Sequence, residues 1–167
     1  LQRALEDFNE VIRLDPGTAA AYANRGIVYD DLGEYQRAIE DYDKAISIDP
    51  QHSGAYFNRA NSRTHLGDYE RAIQDYDEAV RLDPQSDAYT ARGLSYYNLG
   101  EFDRAIVDYG EAIRLDPEDA MPYGNRPIAY ALLGEDTKAQ EDMERAVVLG
   151  VDASGIEGAI EQARSLR

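Results

Sequence analysis

A repeat of about 34 residues is the feature that most constrains the fold of this chain. Prolines at positions 16, 50, 84 and 117 are separated by 34, 34 and 33 residues. Glycine, alanine and aromatic residues return at fixed places between them. In the first complete copy these residues are Gly26, Gly33, Tyr35, Ala38, Tyr42, Ala45 and Pro50. A period of this length is typical of arrays in which each unit packs against its neighbours.

Each complete copy contains two helical patterns. In the first copy, apolar residues at helical spacing extend from about Ala20 to Leu32, and a second set begins at Tyr35. Gly33 separates the two, and glycine ends helices readily because it can adopt positive φ. Pro50 ends the second helix, because the residue before a proline is pushed out of the helical region. A connection this short makes the two helices antiparallel neighbours. The sequence therefore predicts an all-α fold.

The pattern divides the chain into segments of a single array. We assign residues 1–18 to the second half of a truncated repeat, and 19–52, 53–85 and 86–119 to complete repeats. Residues 120–153 form a degenerate repeat, with Pro127 inside its first helix, and 154–167 form a capping helix. Because Leu1 lies within a helical pattern, we interpret the chain as a fragment. Its compartment is left open, with the cytoplasm as the default.

These residues resemble the tetratricopeptide repeat family from Leu1 to about Leu149. Tyrosine stands where the family often has tryptophan, and arginine where it often has leucine. The positions are Tyr22, Tyr56, Tyr89 and Tyr123 for the first, and Arg25, Arg59, Arg92 and Arg126 for the second. The resemblance implies an α-solenoid of antiparallel helix pairs forming a right-handed superhelix. It also implies that the first helices line a concave surface, which in the family usually binds peptides or protein segments.

Composition excludes several classes of function. Acidic residues number 33 against 17 basic, giving a net charge of −16. This charge argues against nucleic acid and against anionic membrane surfaces as partners. No run of about 18 apolar residues is present, so no membrane insertion is expected.

Cysteine is absent, which excludes thiolate chemistry. His52 and His65 have no third ligand at a suitable spacing, so no metal and no cofactor are expected. No catalytic constellation is visible, and we predict that the chain is not an enzyme.

Arginine and aspartate recur together in every repeat, separated by 16 residues. The pairs are Arg25 with Asp41, Arg59 with Asp75, Arg92 with Asp108, and Arg126 with Asp142. One interpretation is a row of cationic sites for an acidic ligand. The other is a set of structural ion pairs, either within a repeat or with the preceding one, where Asp7 would serve Arg25. Periodic recurrence favours the structural interpretation.

Candidate binding residues lie on the first helices. Asparagine precedes three of the arginines, at Asn24, Asn58 and Asn125, and an amide can bind a peptide backbone as donor and acceptor. Phe57 and Tyr97 are aromatic residues outside the repeated packing positions, and exposed aromatics are favoured anchors in interfaces. The remaining candidates in the second and third repeats are Asn61, His65, Leu94 and Asn98. The alternatives are solvated or capping asparagines and ordinary surface variation. Family members that bind a carboxylate through a clamp use lysines in the groove. The corresponding surface of this chain has Ala23 and Asp87, and carboxylate clamping is therefore not expected.

The sequence thus predicts a non-catalytic scaffold that binds a peptide or protein segment along its concave groove. Two alternatives remain open. The chain could be a structural self-assembly unit that associates through exposed terminal helices, forming a homo-oligomer through the N-terminal half-repeat. It could also be a substrate-positioning appendage of a larger enzyme.

Overall fold

The computed structural model describes residues 1–166, and the regular structure of this part is entirely α-helical. Its ten helices are α1 (Gln2–Leu14), α2 (Ala19–Asp31), α3 (Tyr35–Ile48), α4 (Ser53–His65), α5 (Tyr69–Leu82), α6 (Ser86–Asn98), α7 (Phe102–Leu115), α8 (Ala120–Leu133), α9 (Asp136–Val148) and α10 (Ala153–Ser165). Within each compact unit, helices adjacent in sequence pack together. The predicted all-α fold of helix pairs is confirmed.

The chain forms two compact units, Leu1–Pro84 and the residues from Gln85 onward. In the first unit, α2 packs on α3 and α4 on α5, while α3 also contacts α4 and α1 contacts α2. In the second unit, α6 packs on α7 and α8 on α9, and α7 contacts α8. Helix α10 packs against α8 and α9, and it buries Ile156, Ile160 and Ala163 there.

The helices end where the local chemistry requires it. The turn inside each pair contains a glycine at positive φ, from +73° at Gly33 to +84° at Gly134. Residues other than glycine rarely adopt this backbone conformation. The second helices of the first three repeats end at aspartates with extended backbone, Asp49, Asp83 and Asp116, and a proline follows each one. Proline cannot continue the helix, which fixes the length of each unit.

Small residues and large aromatic rings alternate in the core. Tyr42, Tyr76 and Tyr109 occupy the same place on successive second helices, and each is fully buried. A Cβ atom on Gly26 would lie 2.7 Å from Cε1 of Tyr42, so the absence of a side chain makes room for the ring. In the degenerate repeat both positions change together, to Pro127 and Met143. Helix α8 continues through Pro127, which is itself buried.

The three buried tyrosines differ in the partners of their hydroxyl groups. Tyr42 donates to Asp30 Oδ2 at 2.7 Å, and Tyr76 donates to Asn61 Oδ1 at 2.6 Å. Burial raises the pKa of Tyr76 to about 12, so this hydroxyl remains a donor at neutral pH. The hydroxyl of Tyr109 is buried and has no hydrogen-bond partner within residues 1–166. A buried polar group without a partner costs free energy.

Removing these hydroxyls one at a time should therefore have opposite effects. We expect Tyr109→Phe to stabilise the chain by about 1 kcal/mol, because an unsatisfied buried group is replaced by hydrogen. Tyr76→Phe should destabilise it by about 1 kcal/mol, because Asn61 loses its donor. Urea denaturation followed by circular dichroism measures both. A loss of stability in Tyr109→Phe as large as that in Tyr76→Phe would contradict the expectation.

Candidate functional site

A cavity of about 280 Å³ lies between the first helices of two successive repeats in Leu1–Pro84. We call it the α2–α4 cavity. It brings together three predicted binding residues of α4, Asn58, Asn61 and His65. The rest of its lining is Ile27, Asp30 and Asp31 from α2, and Tyr35 and Tyr42 from α3. Contact between α2 and α4 places these side chains around one space.

Asp30 is the centre of a hydrogen-bond network at the base of the α2–α4 cavity. Its Oδ2 accepts from the Tyr42 hydroxyl at 2.7 Å, and its Oδ1 accepts from the Ser62 hydroxyl at 2.6 Å. Half-burial of the carboxyl raises its pKa, and the bonds from Ser62 and Tyr42 oppose that rise. The network links three helices, because the donors come from α3 and α4.

The α4 residues of the cavity are held in place by neighbouring aromatic rings. The His65 ring stacks on Tyr35, with ring centroids 4.7 Å apart and planes 10° from parallel. Asn61 receives the Tyr76 hydroxyl on Oδ1, and this leaves its amide NH₂ group available as a donor. Asn58 lines the same space with its side-chain amide. The cavity therefore presents positioned polar groups beside aromatic surface.

A second cavity, of about 400 Å³, lies in the residues from Gln85 onward. We call it the α6–α10 cavity. Its lining is mostly apolar and includes two predicted binding residues, Tyr97 and Asn98. The other lining residues are Gly100, Phe102, Ile128, Leu132, Ala159, Gln162, Ala163 and Leu166. Tyr97 contacts Phe102 in a tilted arrangement with ring centroids 5.6 Å apart, and Asn98 Nδ2 donates to the Leu94 carbonyl at 2.7 Å.

The remaining candidate binding residues lie outside both cavities. Asn24 is exposed, Asn125 is half-buried, and Leu94 is 38% exposed. Phe57 is half-buried and contacts the ring of Tyr76, with centroids 5.9 Å apart. The aromatic residues that depart from the repeat, Phe57 and Tyr97, thus both touch an aromatic ring of their own helix pair. Within Leu1–Pro84, three of the five candidates share the α2–α4 cavity, and in the second unit two of the four share the α6–α10 cavity.

The recurrent arginines and aspartates meet within each helix pair. In every repeat, Nε and Nη2 of the arginine donate to the two carboxylate oxygens of the aspartate, and the shortest distance in each pair is 2.6 or 2.7 Å. This is the bidentate geometry that suits a guanidinium and a carboxylate. The four aspartates are at least 93% buried.

Arginines of the first unit also contact the preceding helix pair. Arg25 Nη1 donates to Asn9 Oδ1 at 2.6 Å, so the contact from α1 comes from Asn9 and not from Asp7. Arg59 Nη1 donates to Asp43 on α3. Each of these two arginines therefore joins its own repeat to the one before it. Their donors point to protein acceptors, which favours a structural role over recognition of an acidic ligand.

Sequence reasoning missed the carboxylates and the ring that complete the α2–α4 cavity. Asp30 stands where the next two repeats have Thr64 and Tyr97, so it departs from the pattern as clearly as Tyr97 does. That departure was the available signal. Tyr35 belongs to the repeated pattern, and only the packing of α3 against α4 shows that it stacks on His65.

The histidines are engaged in local structure. His52 is the N-cap of α4, where its Nδ1 accepts from the amide of Ala55 at 3.2 Å. Among residues 1–166, no group of three or more His, Asp or Glu side chains is arranged to hold a metal ion. In the same residues, no helix combines the length and the apolar character that crossing a bilayer requires.

The sequence profile of the tetratricopeptide repeat matches residues 19–52, 53–86 and 86–119. The chain belongs to the tetratricopeptide repeat family. Members of this family generally serve as non-catalytic scaffolds for protein interactions. A search of curated protein sequences found no match.

Solved structures of the same fold resemble the chain over most of its length. A crystal structure of MamA is 26% identical, with a TM-score of 0.83, over 87% of this chain and 85% of MamA. YrrB, described as a TPR protein with an unusual peptide-binding site, is 21% identical with a TM-score of 0.82 over 98% of this chain and 86% of its own. The first TPR of Spaghetti (RPAP3), bound to the HSP90 peptide SRMEEVD, is 26% identical with a TM-score of 0.68, over 70% of this chain and 93% of the Spaghetti chain.

Proposed function

We propose that this chain is a non-catalytic interaction module that binds a peptide or protein segment on the surface formed by its first helices. The observation behind the proposal is the convergence of Asn58, Asn61 and His65 on the α2–α4 cavity. Amides and an aromatic ring in a partly enclosed space can hold an extended peptide backbone and one of its side chains. The Spaghetti domain, which is similar in fold and sequence, was solved with a bound peptide.

The contacts of Asn58 make it the most direct residue to test. It lines the cavity, and its backbone carbonyl, not its side chain, lies 3.0 Å from the Ser62 hydroxyl that donates to Asp30. Asn61, by contrast, supports the buried Tyr76 hydroxyl, so its removal would also affect stability. Phe57 and Tyr97 are the aromatic candidates, and each lies in a different compact unit. Testing them separately shows which unit contacts the peptide.

A peptide-display selection with the wild-type chain, followed by affinity measurements on the recovered peptides, tests the proposal. We expect Asn58→Ala to weaken binding roughly tenfold, through loss of a backbone-binding amide in a partly desolvated site. Phe57→Ala and Tyr97→Ala should weaken binding by a similar factor where their ring is an anchor. Gln36→Ala is a matched control, because it removes an exposed amide from the second helix α3.

Two results would count against the proposal. Recovery of no peptide above background would remove peptide binding as the function. Peptides that bind Asn58→Ala, Phe57→Ala and Tyr97→Ala as well as wild type would place the binding surface elsewhere on the chain. Thermal melts of each variant show whether a loss of binding reflects loss of folding.

One observation favours self-assembly as a second candidate function. Helix α1 buries none of its residues completely, and Leu1, Val11 and Leu14 are exposed. A second copy of the chain could cover this apolar surface. Light scattering over a range of concentrations distinguishes the two candidates, because assembly raises the mean mass with concentration and a peptide-binding monomer keeps it constant.

A further inference from the structure

The α2–α4 cavity is negatively charged along its α2 side. Asp30 and Asp31 contribute carboxylates to the lining, and no lysine or arginine lines it. His65 is the titratable residue that α4 contributes to the lining; its ring is stacked on Tyr35, and its charge lowers the pKa of Asp30. The cavity is therefore shaped by aromatic rings and amides, and its charge comes from two adjacent carboxylates.

Asp30, which is half-buried, differs from the four aspartates that are almost fully buried. Asp41, Asp75, Asp108 and Asp142 each receive a guanidinium from the same repeat. Asp30 receives only the hydroxyls of Tyr42 and Ser62, and no basic side chain of the described residues forms an ion pair with it. A half-buried carboxylate without a cation is costly, because burial removes the water that would otherwise solvate its charge.

The free electron pairs of Asp30 remain available to a ligand. Each carboxylate oxygen can accept two hydrogen bonds, and one on each oxygen is already taken by a hydroxyl. The hydroxyl bonds fix the orientation of the carboxylate, so a ligand would meet a preorganised acceptor. Burial raises the pKa of this carboxyl, and a bound cation would reverse that effect by favouring the charged form.

We propose that the α2–α4 cavity takes a basic side chain, arginine or lysine, of the bound peptide, with Asp30 as its ion-pair partner and Asp31 beside it. This inference rests on the proposed function, since it names the chemistry of the peptide held there. Charge complementarity identifies the occupant: the lining carries two carboxylates, and it contains no lysine or arginine that would pair with an acidic residue. The net charge of −16 favours approach of a basic segment in the same way.

A pair of small probes tests the cavity directly. We would titrate the chain with N-acetyl-arginine methylamide and with its citrulline counterpart, which has nearly the same shape but no charge, and follow backbone amide signals by NMR. The arginine probe should shift the signals of Asp30, Asn58 and Asn61 and bind at least roughly tenfold more tightly than the citrulline probe. Equal binding of the two probes, or no shift at these residues, would overturn the inference.

Two variants assign the effect to the carboxylates. Asp30→Asn should weaken binding of the arginine probe roughly tenfold, and Asp31→Asn should weaken it less because that residue is exposed. Glu40→Gln is the matched control, since it removes one negative charge from an exposed position on α3 that does not line the cavity. If Asp30→Asn fails to fold, Asp31→Asn and the comparison with the citrulline probe still test whether the cavity binds a basic group. Wild-type affinity in every carboxylate variant would overturn the inference.

The peptide selection separates failure of this inference from failure of the proposed function. If the selected peptides need Asn58 but are not enriched in arginine or lysine, and if they bind Asp30→Asn normally, peptide binding stands and the basic pocket is wrong. If the selection recovers no peptide, the proposed function fails and a peptide side chain is excluded as the occupant. If the selected peptides share an arginine or lysine at one position, and if their binding requires Asp30, the result supports both the proposed function and the basic pocket.

Discussion

Replacement of Asp75 by alanine is expected to lower the stability of the chain by about 3–5 kcal/mol, the cost typical of removing one partner of a buried ion pair. Asp75 is 3% exposed and receives two arginines at once. Arg59 donates to it from Nε at 2.8 Å and from Nη2 at 2.6 Å, and Arg63 Nη1 donates at 2.6 Å. Asp75→Ala leaves both guanidinium groups partly buried without this acceptor.

Thermal melts measure this loss, which should lower Tm by roughly 6–20 °C for a chain of this size. Arg59→Leu is a useful comparison, because it leaves Arg63 paired with Asp75 and introduces the residue that is common in the family at this position. It should cost less than Asp75→Ala. Glu40→Ala is the control for removing an exposed carboxylate and should change stability by less than about 0.5 kcal/mol. An Asp75→Ala variant that melts with the wild type would show that the pair contributes nothing to stability.

The fold could be predicted from the sequence because the main packing contacts within a helix pair recur with the period. Gly26 and Tyr42 illustrate this: the glycine is small where the ring passes, and the third copy repeats the combination as Gly93 with Tyr109. The second copy keeps a small residue, Ala60, with Tyr76, and in the degenerate repeat both members change, to Pro127 and Met143. A periodic pattern therefore indicates which positions contact each other, and these contacts are sufficient to predict the helix pairs.

The contacts between successive repeats were harder to predict. The arginine and the aspartate of each ion pair are the same residue types in every repeat, so the sequence alone indicated the pairing. The acceptor that α1 offers to Arg25 is Asn9, whereas α3 offers Asp43 to Arg59. These two acceptors occupy equivalent positions but differ in residue type. Sequence comparison within the chain therefore gave no signal, although the geometry is shared.

The candidate site could be predicted only in part, because the first complete repeat served as the reference. Measured against it, Phe57 and Tyr97 were the departures, and Asn61 and His65 were named as their neighbours on the first helices. Asn61 and His65 both line the α2–α4 cavity. Asp30 was part of the reference, so its own departure was not recognised. Its environment also depends on hydroxyls from α3 and α4 that lie 12 and 32 residues away in sequence. Such a site is defined by packing between helices rather than by spacing along one of them.

Introduction of a branched side chain at Gly93 is expected to destabilise the second unit by about 3 kcal/mol, because overpacking of a filled core usually costs 1–3 kcal/mol and a β-branched residue adds strain in a helix. A Cβ atom at Gly93 would lie 2.9 Å from Cε1 of Tyr109 and 3.3 Å from the backbone oxygen of Ala105. Tyr109 is fully buried, so its ring has little freedom to move away.

Urea denaturation of Gly93→Val, compared with Gly124→Ala, measures this effect against a matched control in the same unit. A Cβ at Gly124, inside helix α8, would meet nothing within 4 Å. Gly124→Ala should therefore stabilise the chain by about 0.5–1 kcal/mol, through the better helix propensity of alanine. Gly93→Ala should fall between the two, since the second repeat has a buried alanine, Ala60, at the equivalent position. Wild-type stability in Gly93→Val would show that the Tyr109 ring can yield, and steric contact with this ring would then not explain the small residue at that position.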